Sequence, residues 1–280
     1  MTTLEMCKEE TMQDIQNMSY FELIGAVRET NRPPGGVSSV ANIARGAYLN
    51  SNSRVLEIGT STGFTAIELA KLVKCHVTAV DVNEESLQEA KRRAKIEGVL
   101  EYINFVVQDA SQLDYQDQQF DMVFCGNVTS YLNNKSRCLQ EFIRVLKPHG
   151  FIAAIPMYYL NEPPKEIVAQ VSDAINHNIS IQYKKDWINF FNVAPLSLFL
   201  CENYKFDFIT NSEVNIFVDK IMQREHLQKL GIQRHTALAN RYQYFMQLFR
   251  DNLSLMGFSL MLLRKDIEEC DPILFTATQI

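Results

Sequence analysis

Five short apolar runs, rich in β-branched and aromatic residues, punctuate the first half of the chain: residues 54–58 (RVLEI), 76–82 (HVTAVDV), 103–108 (INFVVQ), 120–125 (FDMVFC) and 151–156 (FIAAIP). Runs this short and this continuously apolar read as strands buried on both faces. Between them the period changes to that of a helix, in TGFTAIELAKLVK, NEESLQEAKRRAKIEG and NKSRCLQEFIRVLKPHG. Asn83 is placed to cap the second of these helices and Gly98 to stop it, while the third closes on a Pro-His-Gly turn. Strand alternating with helix predicts an α/β fold with a parallel, doubly wound sheet and helices on both faces.

Upstream, SYFELIGAVRE and GGVSSVANIARGAYL read as two helices separated by TNRPPGG, where prolines and glycines break the period. Downstream of Tyr159 the alternation lapses into a helix-like, aromatic-rich stretch containing KKDWINFFNVAPLSLFL. It resumes as a helix (LANRYQYFMQLFRDNLSLMG) and two strands, FSLMLLRK and PILFTATQ. The expected organisation is therefore a helical arm (1–50), a sheet core (51–159), a mainly helical insertion capping the site (160–237), and a C-terminal helix with the last two strands (238–280).

Composition narrows the choices. With 46% hydrophobic and 21% charged residues the chain has the make-up of a folded protein. A net charge of −6 argues against a nucleic-acid partner, which would need a clustered Lys/Arg surplus; the basic run KRRAK (91–95) lies on an amphipathic helix and reads as a solvated face. Six cysteines without a C-x-x-C pair indicate neither a zinc site nor a disulfide framework. The polar N-terminus and the lack of an apolar run of about 18 residues point to a cytoplasmic protein without a membrane span.

The chemistry concentrates where strands end. After the first strand the chain makes a turn through Gly59, Thr60, Ser61 and Gly63 into a helix, exposing backbone N–H groups and a partial positive charge suited to a nucleoside ligand. Glu57 precedes that turn. Asp81, 24 residues further on, ends the second strand, where an acid can take both ribose hydroxyls. Asp109 ends the third. Acids at three successive strand tips are a poor match for ordinary solvated surface.

In order and spacing, VLEIGTSTG, AVDV, VVQDA, FDMVFCGNVTSYL and VLKPHGFIAAI resemble the motifs of class I S-adenosylmethionine-dependent methyltransferases, over roughly residues 54–159. The resemblance implies a Rossmann-like, mostly parallel seven-stranded sheet and S-adenosylmethionine as cofactor. It implies that Gly59 to Gly63 pass the methionine part with Glu57 in support, and that Asp81 holds the ribose. Val82 would pack on adenine, Asp109 with the Ala110 backbone would read the adenine edge, and Asn127 would sit beside the amino group. Ser61 stands where the family usually has its middle glycine. The N/D-P-P-Y/F tetrapeptide of nucleobase and glutamine amino-methylating enzymes is missing after the fourth strand.

Cys125, Gly126 and Asn127 occupy the fourth strand tip, where metal-assisted members carry acids, so no metal is expected. Methyl transfer from a sulfonium needs alignment more than a catalytic side chain. Arg28 and Arg32 are candidates for the cofactor carboxylate. Tyr131, Tyr158 and Tyr159, or Trp187, Phe190, Phe191, Phe199, Phe206 and Phe208, are candidates for an acceptor pocket or for plain core. His76, His149, His177, His226 and His235 read as structural or surface residues. The expected activity is methylation of a small, partly apolar acceptor. Transfer or cyclisation of the aminocarboxypropyl arm, an RNA or protein substrate, a non-catalytic binding role and a homodimer all stay open.

Overall fold

A computed structural model of the protein describes residues 12–266; the strand expected at 272–279, together with Cys7 and Cys270, lies outside them. Helices α1 (Met12–Asn17), α2 (Tyr20–Val27) and α3 (Gly36–Gly46) precede β1 (Arg54–Ile58). Then α4 (Phe64–Val73), β2 (His76–Asp81), α5 (Glu84–Ile96), β3 (Ile103–Val107), β4 (Phe120–Gly126), α6 (Lys135–Val145) and β5 (Leu146–Ala154) alternate as the pattern predicted. Next come β6 (Met157–Tyr159), α7 (Lys165–Ala174), α8 (Lys184–Phe191), β7 (Leu196–Lys205), α9 (Asn211–Met222), α10 (Glu225–Gln228), α11 (Ile232–Leu253) and β8 (Met256–Lys265).

The chain divides into two units. Among the described residues, a sheet unit comprises 32–156, 188–202 and 260–266, and a helical unit comprises 12–31, 157–187 and 203–259. In the sheet unit β3, β2, β1, β4 and β5 pair side by side and in parallel, and the second half of β8 adds antiparallel to β5 through Phe151–Ala154 and Met261–Arg264. β1 lies between β2 and β4, so the strand order reverses at its carboxyl end. That reversal opens a crevice where ligands of such sheets bind. Burial of Val55, Leu56, Ile58, Met122, Val123 and Phe124 anchors the centre.

The flanking helices carry their own start and stop signals. The Asn83 side chain accepts from the Ser86 N–H at 2.9 Å to begin α5, and Gly98 ends it at φ +69°. Asn134 begins α6 by accepting from Arg137 N–H at 3.1 Å. Buried Glu141 on α6 then accepts from Leu113 N–H at 2.9 Å and from Arg144 at 2.8 Å, which ties the loop after β3 to the helix.

The helical unit packs one face of α11 (Leu238, Tyr242, Phe245, Leu248) against Leu23 and Val27 of α2, Val171 of α7 and Val214 and Val218 of α9. Reciprocal capping boxes start α2 (Ser19 with Glu22) and α9 (Thr210 with Glu213). Arg224 donates to the carbonyls of Val27 and Arg28 at 2.6 and 2.5 Å, satisfying acceptors left over at the end of α2. β6 pairs here with Met256–Phe258.

Two elements differ from expectation. Leu196–Lys205, read as part of a helical stretch, is a strand paired with β8: the helix stops at Phe191, a turn through Ala194 and Pro195 follows, and the residues after it take their structure from the neighbouring strand. The Pro-His-Gly turn is a kink within β5, with His149 at φ +61° and a shift of register against β4. The stretch 160–237 is shared between the units, with 188–202 in the sheet unit and the remainder in the helical unit.

Gly63 and Gly98 both adopt left-handed backbone, but only Gly63 is crowded. A Cβ on Gly63 would meet Ala90 Cβ at 2.8 Å, whereas Gly98 has open space. Gly98→Ala should therefore cost about 1–2 kcal/mol for the conformation alone. Gly63→Ala should cost roughly 1–3 kcal/mol more through overpacking. Urea unfolding of the two variants checks this; equal losses would mean that Ala90 gives way freely.

Candidate functional site

β1 delivers Glu57 to the crevice, almost fully buried at 3% exposure. Its Oε2 accepts from the Thr60 hydroxyl at 2.7 Å, and the Thr65 hydroxyl and Ala66 N–H at the start of α4 also donate to it. Burial pushes the carboxyl up to about 7. The three donors oppose that rise, and the charge of Asp81 adds to it. Among the described residues no basic side chain forms an ion pair with Glu57.

The turn after Glu57 is held from both ends. Gly59 and Thr60 each donate their N–H to Val80 O, at 2.9 and 3.0 Å, and Gly63 N–H donates to Thr60 O at 2.9 Å. Gly59, Ser61 and Gly63 have φ of +69°, +49° and +83°, so Ser61 adopts the left-handed backbone that a glycine at this position would take without strain. Ser61 N–H donates to Asp81 Oδ2 at 2.8 Å, and Asn83 N–H to Asp81 Oδ1 at 2.9 Å. Two backbone amides thus aim the Asp81 carboxylate while leaving lone pairs on each oxygen.

The space a side chain would need at either glycine belongs to the protein: a Val128 methyl lies 2.5 Å from a Cβ on Gly59, and the Ala90 Cβ 2.8 Å from one on Gly63. The backbone of the turn can pack this closely because both residues lack a side chain.

Asp109 is exposed, and the N–H and hydroxyl of Ser111, the former at 2.7 Å, hold its carboxyl below the usual range. Ala110 beside it is buried, whereas Val82 is 71% exposed. Gln108 Oε1 is buried without a hydrogen-bond partner. After β4, Asn127 accepts from the Ser130 hydroxyl at 3.2 Å and opens a short 3-10 turn, Val128–Ser130. Buried Thr129 on that turn also has an unpartnered hydroxyl oxygen. The structure therefore gathers Glu57, Gly59, Thr60, Ser61, Gly63, Asp81, Val82, Asp109, Ala110 and Asn127 in one unit, along successive strand ends.

Arg32 belongs to the same unit and holds its guanidinium 5.5 Å over the ring of Phe64, the first residue of α4. Arg28 lies in the helical unit and closes α2 with left-handed backbone. Several acceptor candidates are core residues. Tyr159 donates to Asn252 Oδ1 at 2.8 Å, Tyr158 to Phe258 O at 3.4 Å, and Trp187 to Met157 O at 3.0 Å, and all three are buried, as is Phe191. Phe206 packs on Phe258 and Phe199 on Phe151, while Phe208 is exposed.

Thr65 and Val128 were missed from the sequence. Thr65 looks like any first-turn helix residue, and Val128 matters only because it fills the space beside Gly59. Arg93, part of the basic run read as a solvated face, bonds the Thr62 hydroxyl at 3.1 Å and Glu89 at 2.8 Å. Burial raises Glu89, but Arg92 and Arg93 outweigh it and bring the carboxyl down to about 2. Among the described residues no cluster of His, Cys, Asp or Glu could hold a metal ion, and no helix is long and apolar enough to cross a membrane.

The residues present fit a cationic nucleoside cofactor: two acids without a basic ion-pair partner, an exposed valine for a base to cover, an orphaned buried amide oxygen, and a helix start that Gly63 leaves without a side-chain cap.

Comparison with known proteins agrees with this geometry. A family described as a methyltransferase domain matches residues 49–194. The ubiquinone/menaquinone biosynthesis C-methyltransferase UbiE of Bartonella bacilliformis is 34% identical over 102 residues, covering 36% of this chain and 39% of that protein. The solved structure of MccD protein superposes with a TM-score of 0.73 at 22% identity, covering 85% of this chain and 100% of that one. Phospholethanolamine N-methyltransferase 2 of Haemonchus contortus, in complex with phosphomonomethylethanolamine and S-adenosylhomocysteine, gives a TM-score of 0.68 at 16% identity, covering 92% and 61%. These two structures speak for the fold. The alignments span from 20% to 66% of the length of the first curated relatives.

The raised Glu57 carboxyl makes stability depend on pH with a definite sign. Between the unfolded value of 4.5 and the folded value of about 7, the folded state holds more protons than the unfolded chain. Stability should therefore fall as pH rises through this window, by on the order of 2–3 kcal/mol from this group, and level off above it. Urea unfolding at pH 5, 6, 7 and 8 should show the decline in the parent protein and its loss in Glu57→Gln. A slope that Glu57→Gln leaves intact would assign it to other groups.

Proposed function

Because the chain belongs to the methyltransferase-domain family, whose model matches residues 49–194, we propose that it transfers the methyl group of S-adenosylmethionine to a small, partly apolar acceptor. That cofactor supplies a methyl group on a positively charged sulfur, ready for in-line displacement. The observation that carries the reading is Asp81, a carboxylate aimed by the Ser61 and Asn83 amides at the tip of the strand next to Glu57.

In this reading Asp81 accepts from both ribose hydroxyls. Val82 lies against the adenine face, and Asp109 with the Ala110 N–H meets its edge. The left-handed turn from Gly59 to Gly63 lines the methionine part, Glu57 supplies negative potential beneath it, and Asn127 faces the amino group. Arg32 pairs with the carboxylate, and its seat on Phe64 at the start of α4 favours it over Arg28, whose helix end belongs to the other unit. Alignment of donor and acceptor accounts for most of the acceleration, and a proton acceptor enters only when the acceptor must lose a proton. A relative named for ubiquinone and menaquinone biosynthesis supports an apolar part in the acceptor.

Asp81→Ala should weaken S-adenosylhomocysteine binding by about 1.5–3 kcal/mol, the worth of hydrogen bonds to a charged group, and should also lower thermal stability, because the Ser61 and Asn83 amides lose their acceptor. Arg32→Ala should weaken it and Arg28→Ala should not. Calorimetric titration reads all three, and unchanged affinity in Asp81→Ala would remove the ribose assignment. Mass spectrometry after incubation with S-adenosylmethionine and cell extract should find S-adenosylhomocysteine. Accumulation of methylthioadenosine would mean that the aminocarboxypropyl arm had moved instead.

A further inference from the structure

Glu57 is a buried acid without a basic ion-pair partner among the described residues. A buried charge ordinarily has a countercharge. The elements packed around it offer neutral donors and one more negative group. The turn brings the Thr60 hydroxyl, α4 brings the Thr65 hydroxyl and Ala66 N–H, and β2 brings the Asp81 carboxylate. β4 sets Phe124 beside Glu57 in the ladder, and the next residue, Cys125, has its thiol pushed up to about 12 and stays neutral. Arg93 of α5 is occupied with Glu89 and Thr62, and Arg32 lies over Phe64.

Surroundings of this kind favour the neutral acid until a cation comes near. We propose that Glu57 is the residue by which this protein tells its positively charged cofactor from the uncharged sulfur of the reaction's product, by giving up a proton when the cation arrives. The inference rests on the cofactor reading above.

The physical step is simple. A sulfonium near the carboxyl favours its ionised form, so binding shifts the equilibrium from carboxylic acid to carboxylate and the proton passes to the buffer. The Thr60, Thr65 and Ala66 donors are already in place to hold the carboxylate. S-adenosylhomocysteine shares the nucleoside and the amino acid but lacks the positive charge on sulfur, so it makes a smaller demand on Glu57. Once the ionisation of each ligand's own amino group, which the sulfonium charge alters, is subtracted from free-ligand titrations, the ratio of the two affinities isolates the effect.

The protein should therefore favour cofactor over product increasingly as pH rises through neutrality, since the unliganded carboxyl titrates at about 7. For a one-unit difference in the shift caused by the two ligands, the ratio should grow on the order of fivefold between pH 6 and pH 8. Isothermal titration of the intact protein with each ligand, in phosphate and in Tris at pH 7, should find more protons released by S-adenosylmethionine than by S-adenosylhomocysteine. Glu57→Gln should remove both the difference in release and the pH dependence of the ratio. Thr65→Val, which takes away a donor to the carboxylate, should move the midpoint of the pH profile upward and serves if Glu57→Gln does not fold.

A flat ratio with both ligands bound, a pH dependence that persists in Glu57→Gln, or an unmoved midpoint in Thr65→Val would overturn the linkage alone. Failure of either ligand to bind at any pH would overturn the cofactor reading and the linkage with it.

Discussion

The site depends on one constraint, which is that a carboxyl group is carried into a central strand of a sheet and left there with no basic ion-pair partner among the described residues. Glu57 can occupy that position because Thr60, Thr65 and Ala66 turn their donors toward it, and those donors fix the turn and the first residues of α4. The same turn then offers its Ser61 amide to Asp81, so the order reaches the neighbouring strand tip. Loss of the acid would release a connected set of hydrogen bonds. Its burial thus costs stability in the folded chain while organising a surface for a ligand of opposite charge.

The parts of this arrangement written in local pattern could be read before the fold was known. The apolar runs ending in Glu57 and Asp81 mark buried strands, and the glycines at 59 and 63 mark a turn entering a helix. Asn83 and Gly98 bracket α5 in the roles their chemistry suggests. The features that escaped were set by residues distant in sequence. Nothing local says that Val128 fills the space beside Gly59, or Ala90 the space beside Gly63. Leu196–Lys205 becomes a strand because β8 offers it a pairing edge, and the aromatic and apolar run gave no period to announce that. Tyr158, Tyr159 and Trp187 looked equally suited to a pocket and to a core, and their hydrogen bonds to Phe258, Asn252 and Met157 put them in the core.

Ser61 illustrates how a departure from a familiar motif is absorbed. A serine at φ +49° carries backbone strain that a glycine would not. The hydrogen bond its backbone N–H donates to Asp81 helps hold that conformation, so the turn keeps its course without the third glycine. The strain is local and the bond that opposes it belongs to the site, so strain and function meet in the same few residues.

The two units are each assembled from separate stretches of chain, and this sets an order of events during synthesis. β5 ends at Ala154, and the half of β8 that pairs with it begins about 100 residues later, after most of the helical unit has been made. Until then Phe151–Ala154 forms the open border of a half-built sheet, an apolar edge with unsatisfied backbone groups. Growth at the ribosome proceeds at roughly 5–20 residues per second, so that border waits for seconds in the cell. A slow or faulty helical unit would therefore prolong the exposure of β5, the edge through which nascent chains could associate.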